Sequence, residues 1–147
     1  MVHSQTPNPS TLPAESSLVY AEPQLAEELL ERFDSFAQAV AKHDGVSAFS
    51  EQTRIELSKA LRESTLTPPR FFVAEDNGTL AAVFVALTPA HDEDTGVIEA
   101  AVAPEYRGRG AGSAFFDHAV RQLGEDAVRY RLWVHGSATD TGIESPA

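Results

Sequence analysis

Gly108, Gly110 and Gly112 stand at alternate positions between an apolar run, Val97-Ile98-Glu99-Ala100-Ala101-Val102, and a second apolar period. Glycines so spaced let a backbone come close to a ligand and present successive N–H groups to it. Phe115, Phe116, Ala119, Val120 and Leu123 then recur at three- and four-residue spacing, as one face of a helix requires. The order is strand, glycine loop, helix. At the start of that helix several N–H groups lack an intrahelical partner and the dipole is positive, so the loop suits a phosphate-bearing ligand. A plain turn entering a helix is the alternative, and the flanking elements together with Arg107 and Arg109 weigh against it.

Other nucleotide motifs do not fit. The spacing is G-x-G-x-G followed by Ser113, and no second nucleotide-binding half follows, so the dinucleotide fingerprint fails. No Gly-Lys-Ser/Thr occurs, which excludes the phosphate loop of NTPases. The five histidines, at 3, 43, 91, 118 and 135, have no metal-ligand spacing, and no cysteine is present for a disulfide, a thiolate nucleophile or a thiolate metal site. A metal is therefore not expected. The formal charge is −11, from 22 acidic and 11 basic side chains, and opposes nonspecific binding to nucleic acid or to an anionic membrane. The excess lies mostly in residues 1–100, which leaves the glycine-loop part far less acidic. With no apolar run near the ~20 residues of a membrane span and no basic-then-apolar leader, the expected location is the cytoplasm.

The elements that must position this loop are legible. With 147 residues, 42% hydrophobic and 22% charged, the chain has the size and composition of one globular domain. Residues 1–16 hold three prolines and little apolar surface and are expected to be a disordered tail. Leu18-Val19-Tyr20 reads as a short edge strand before Pro23. From Gln24 to Asp44, Leu25, Leu29, Phe33, Phe36, Ala37 and Val40 define a helix face, and Gly45 is its stop. A second helix is expected from an N-cap at Ser50 to Glu63 on Ile55, Leu57, Ala60 and Leu61, with Thr67-Pro68-Pro69 beyond it. Arg70 to Leu87 reads as a hairpin around Asn77-Gly78, whose second arm is apolar enough to be buried on both faces. His91–Asp94 is a polar loop, most simply solvated, that in this place would border an acceptor site for a cationic amine. Arg129 to His135 is the last strand, and 137–147 form a polar tail. The fold class is α/β (α+β), a mixed sheet with helices on both faces in the order β-α-α-β-β-β-α-β.

Arg107-Gly108-Arg109-Gly110-Ala111-Gly112 resembles the R/Q-x-x-G-x-G/A signature of the GNAT N-acetyltransferases, and Val102-Ala103-Pro104 resembles the V-x-P that leads into it. Glu99 through Gly112 together with Leu132-Trp133-Val134-His135-Gly136 are similar, within that superfamily, to the first of the two tandem domains of mycothiol synthases. The resemblance implies a GNAT domain over 17–136 that binds acetyl-CoA and ends after its fifth strand, with a second GNAT domain as missing partner. It implies pyrophosphate binding by Arg107, Gly108, Arg109, Gly110, Ala111, Gly112 and Ser113. The backbones of Ala100, Ala101 and Val102 would hold the pantetheine and acetyl groups, with the Val102 N–H as oxyanion donor. The reaction implied is acetylation of a small-molecule amine, the cysteinyl amine of desacetylmycothiol. The alternative is a noncatalytic acetyl-CoA-binding or structural half. In this frame Glu99, a carboxylate within an apolar strand, is the general-base candidate, burial raising its pKa. Its alternative is a strand-edge Glu facing solvent or pairing with an Arg. His135 is a weaker substrate-binding candidate, and no general acid is identified.

Overall fold

Residues 18–63, 67–88, 96–124 and 130–135 are described by the structure, a computed structural model, which for 131–135 gives the path of the strand alone. The expected tails, the His91–Asp94 loop and the Trp133 and His135 side chains lie outside the described residues.

Five strands form one sheet in sequence order: β1 (Val19–Ala21), β2 (Arg70–Asp76), β3 (Thr79–Leu87), β4 (Gly96–Val102) and β5 (Tyr130–His135). The first four pair antiparallel, and β5 runs parallel to β4, so the mixed sheet is as expected. The hairpin turns on Asn77 and Gly78 with φ of 52° and 85°, the positive values that a two-residue type I′ turn demands. Alternation divides the strands cleanly. Phe71, Val73, Val83, Val85 and Ala101 face one layer, whereas Phe72, Ala74, Phe84, Ala100 and Val102 face the other. β3 is buried on both faces as its near-continuous apolar sequence requires.

Two helices cover the first face. α1 (Glu27–Asp44) contributes Leu29, Leu30, Phe33, Phe36 and Val40, and ends on Gly45 at φ 83°. α2 (Glu51–Arg62) starts on Ser50, whose hydroxyl accepts the Thr53 N–H, and contributes Leu57. Here the sequence expectation needs correction. Ile55, placed on the buried face by its hydrophobicity, is 45% exposed, and Thr53 is fully buried in its stead. The buried stripe is 53-57-61, and Thr53 tolerates burial because its hydroxyl donates to Glu99 Oε1 at 2.7 Å and accepts from Ser50 Oγ.

The opposite face is covered by α3 (Ala111–Leu123) through Phe115, Phe116, Ala119 and Leu123. A 3-10 turn, Pro104–Tyr106, which the sequence reading did not separate from the loop, joins β4 to the glycines. Tyr106 packs against both layers, and its phenol donates to Asp76 Oδ2 at 2.7 Å. That hydrogen bond, reinforced by burial and by the charges of Asp76 and Glu105, pushes the Tyr106 pKa up to about 12. α3 lies so close to β4 that a Cβ on Gly112 would sit 2.7 Å from Val102 Cγ2.

Two outcomes follow from this packing. Gly112→Ala must displace a stiff β-branched neighbour and is expected to cost about 1–3 kcal/mol of stability in urea denaturation. Tyr106→Phe is expected to cost about 0.5–1.5 kcal/mol at pH 8. Because the folded pKa exceeds the ordinary 10.0, the phenol's contribution is full below pH 10 and is lost as pH rises toward about 12. The stability gap between wild type and Tyr106→Phe should therefore close over that interval.

Candidate functional site

The sheet has one parallel junction, β4 with β5, and α3 is the helix that connects them. In such a unit the helix N-terminus meets the carboxyl end of the first strand, and ligands gather at the carboxyl ends of parallel strands. The glycine loop occupies that corner. Gly108 and Gly110 take φ of 79° and 80°, a left-handed region that side chains rarely adopt, and Gly110 is the N-cap of α3. The first intrahelical bond runs from Ala114 N–H to the Gly110 carbonyl at 3.1 Å. The N–H groups of Ala111, Gly112 and Ser113 thus precede the helical ladder.

Comparison with the other helices shows what is special here. α1 carries Glu27 and Glu28 in its first turn; α2 carries Glu51 and the Ser50 cap. Among the described residues, α3 has neither a carboxylate in its own first turn nor a capping side chain to offset its positive end.

Arg107 and Arg109 flank Gly108 but stand differently. Arg109 is exposed. Arg107 donates from Nη1 and Nη2 to the two Asp44 oxygens at 2.9 and 2.8 Å, and from Nε to the Val102 carbonyl at 2.9 Å. Its side chain is thus bound into the fold. Sequence reasoning missed Asp44, 63 residues away, and no local signal pointed to it.

The three strand residues also separate. Ala103 N–H donates to the Ala81 carbonyl, so by the alternation of an antiparallel pair Ala101 turns its backbone groups toward β3. Ala100 and Val102 turn theirs toward β5. The β4–β5 register runs as far as Ala101 opposite His135, and Val102 is the last residue of its strand. The Val102 carbonyl is taken by Arg107, and the pairing of Ala101 with His135 engages the Val102 N–H with the end of β5.

Glu99 lies on the face that carries α1 and α2, with Ala101 and Ala103, opposite to α3. It neither faces solvent freely nor pairs with an Arg, the two structural arrangements anticipated. Its Oε1 accepts the Ser50 N–H at 2.8 Å and the Thr53 hydroxyl at 2.7 Å, and so supplies the anion at the N-terminus of α2. Among the described residues no group of three or more His, Asp or Glu is placed to hold a metal ion, and no helix is long and apolar enough to cross a membrane.

The arrangement has clear relatives. The profile of the Acetyltransferase (GNAT) family matches residues 24–142. The chain is 88% identical over its full 147 residues to a mycothiol acetyltransferase of Rothia mucilaginosa (strain DY-18), covering 42% of that protein. It is 39% identical over 98 residues, 67% of the chain, to a mycothiol acetyltransferase of Nocardia farcinica, covering 29% of that protein. The chain thus spans less than half the length of these relatives. Among solved structures, a GNAT acetyltransferase of Staphylococcus aureus Mu50 matches with a TM-score of 0.58 at 11% identity, over 84% of this chain and 74% of that one. A spermidine N-acetyltransferase of Vibrio cholerae, in complex with CoA and spermine, matches with a TM-score of 0.53 at 14% identity, over 85% and 74%. These similarities to solved structures concern the fold. With the strand, loop and helix in their places and the family profile spanning most of the sequence, the chain belongs to the GNAT acetyltransferase family.

Proposed function

We propose that the chain binds acetyl-CoA at the junction of β4, β5 and α3 and takes part in acetylating a small-molecule amine. The observation that carries this reading is the uncapped, carboxylate-free N-terminus of α3, preceded by two left-handed glycines. A pyrophosphate accepts hydrogen bonds from such N–H groups and complements the helix dipole. The loop from Arg107 to Ser113 holds it, chiefly by backbone. The backbones of Ala100 and Val102, which turn to β5, serve the pantetheine and the thioester by exchanging that pairing for the ligand, and Ala101, whose groups turn to β3, has the lesser part.

In the reaction, the amine nitrogen attacks the thioester carbonyl carbon, a C–N bond forms, the oxyanion is held by the Val102 N–H, and the C–S bond then breaks. The amine loses a proton to a base, and the departing sulfur takes one up. Glu99 is the proposed base. Since it lies on the α1 and α2 side of β4, the amine would arrive from that face. The acceptor we infer is the cysteinyl amine of desacetylmycothiol, on the strength of the 88% identity to a mycothiol acetyltransferase.

A second reading has its own support: the chain equals 42% of that relative's length, and Glu99 already serves as the anion of α2. In it the chain is a noncatalytic acetyl-CoA-binding half of a longer two-domain enzyme.

Calorimetric titration with acetyl-CoA is expected to show one site per chain, and failure of a folded sample to bind would remove both readings. Turnover of the amine by this chain separates them, and Glu99→Gln tests the base. The amide oxygen can still accept from Ser50 and Thr53, so fold and acetyl-CoA affinity should hold, while a base role predicts a kcat loss of roughly 100-fold or more. Unchanged turnover in Glu99→Gln would assign Glu99 to the helix alone.

A further inference from the structure

We propose that Asp44 and Arg107 are positioning residues for the glycine loop: a clasp that sets the loop against the end of β4 without either side chain touching the ligand. This rests on the reading of that loop as the CoA site. The geometry of the guanidinium is the first argument. At least three of its five N–H donors are committed, two to Asp44 and one to the Val102 carbonyl, and its side chain and that of Asp44 are only 18% and 12% exposed. To grip a phosphate, Arg107 would have to surrender a bidentate, largely buried ion pair.

The second argument is the position of Asp44. It is the last residue of α1, where the helix dipole is negative and a carboxylate is disfavoured. A carboxylate in that place needs a compensating cation, and Arg107 provides it from the other side of the site. His43 Nδ1 also lies 2.8 Å from Asp44 Oδ1, but on the exposed side.

The third argument is what the clasp joins. One guanidinium ties the C-terminus of α1 to the last carbonyl of β4 and to the residue that starts the glycine loop. Val102, whose carbonyl is held, is also the residue against which Gly112 packs. The loop's N–H groups and the Val102 N–H are therefore fixed relative to one another through Arg107. Preorganisation of this kind raises affinity by keeping the binding-competent conformer populated.

The inference makes a prediction of opposite sign to simple electrostatics. If Arg107 were a direct phosphate ligand, Asp44→Asn would remove a competing carboxylate and leave CoA binding equal or tighter. A clasp predicts instead that Asp44→Asn binds CoA about tenfold more weakly. Calorimetric titration of CoA into the full chain tests this, alongside Arg107→Gln and the double variant, with urea denaturation to confirm that each is folded. The double variant should bind no more weakly than Arg107→Gln alone. The salt dependence of the dissociation constant should be the same in Arg107→Gln as in wild type, because no ligand charge contact has been lost. Equal or tighter binding by Asp44→Asn, or a flattened salt dependence in Arg107→Gln, overturns the clasp. Should Asp44→Asn not fold, Arg107→Gln decides by its salt dependence. Absence of CoA binding by the wild type would count against the site itself and not against the clasp.

Discussion

The contact on which the ligand end of this domain depends is the approach of Gly112 to Val102. A methyl group at position 112 would lie 2.7 Å from Val102 Cγ2, well inside van der Waals contact. Only a residue without a Cβ lets the first turn of α3 rest against the end of β4. Once it does, Phe115, Phe116 and Ala119 fall onto Ala100, Phe84 and their neighbours, and the helix is fixed by an apolar layer. The loop before it then has few residues in which to reverse direction, and the left-handed turns at Gly108 and Gly110 follow from that shortage. Packing, not the ligand, thus places the N–H groups.

Two helix N-termini lie against β4, and their contrast explains the chemistry better than either does alone. α2 meets Glu99, whose carboxylate accepts from the Ser50 N–H and from buried Thr53. A positive helix end and a half-buried carboxylate stabilise each other, so that end is closed by the chain. α3 meets a strand end with no carboxylate in its own first turn and no capping side chain. Its positive end stays available. The same strand therefore separates a helix end closed by a carboxylate of the chain from one without a carboxylate or cap in its first turn, and they lie on opposite faces of the sheet.

What the sequence disclosed and what it withheld divide along a physical line. The hairpin, α1 and the strand-loop-helix unit were legible because each depends on short-range rules: positive φ at Asn77-Gly78, apolar period 3.6 from Leu29 to Val40, and glycines between a strand and a helix. Contacts made across long sequence separations were not. Arg107 finds Asp44 and Glu99 finds Thr53 only through tertiary packing, and nothing in the neighbourhood of either member announces the other. The misplacement of Ile55 has the same origin. Hydrophobicity alone favours Ile over Thr for the interior, yet the half-buried Glu99 reverses the choice, because the Thr53 hydroxyl gains hydrogen bonds that Ile cannot make. The motif puts Arg107 at the start of the glycine loop, and the part its side chain plays there belongs to the fold.

The distance between holding a thioester and transferring its acetyl group can be stated in terms of these residues. Holding requires backbone donors at fixed positions, and β4, Gly108 to Ser113 and the Arg107–Asp44 pair provide a means of fixing them. Transfer requires in addition a base on the amine side and an acid near sulfur. Glu99, the proposed base, is already bound to the N-terminus of α2. Tyr106, the described phenol nearest to the loop in sequence, has its pKa raised to about 12 by its bond to Asp76, far above the range in which it would exchange protons readily at neutral pH. The described residues are therefore better equipped for the first task than for the second.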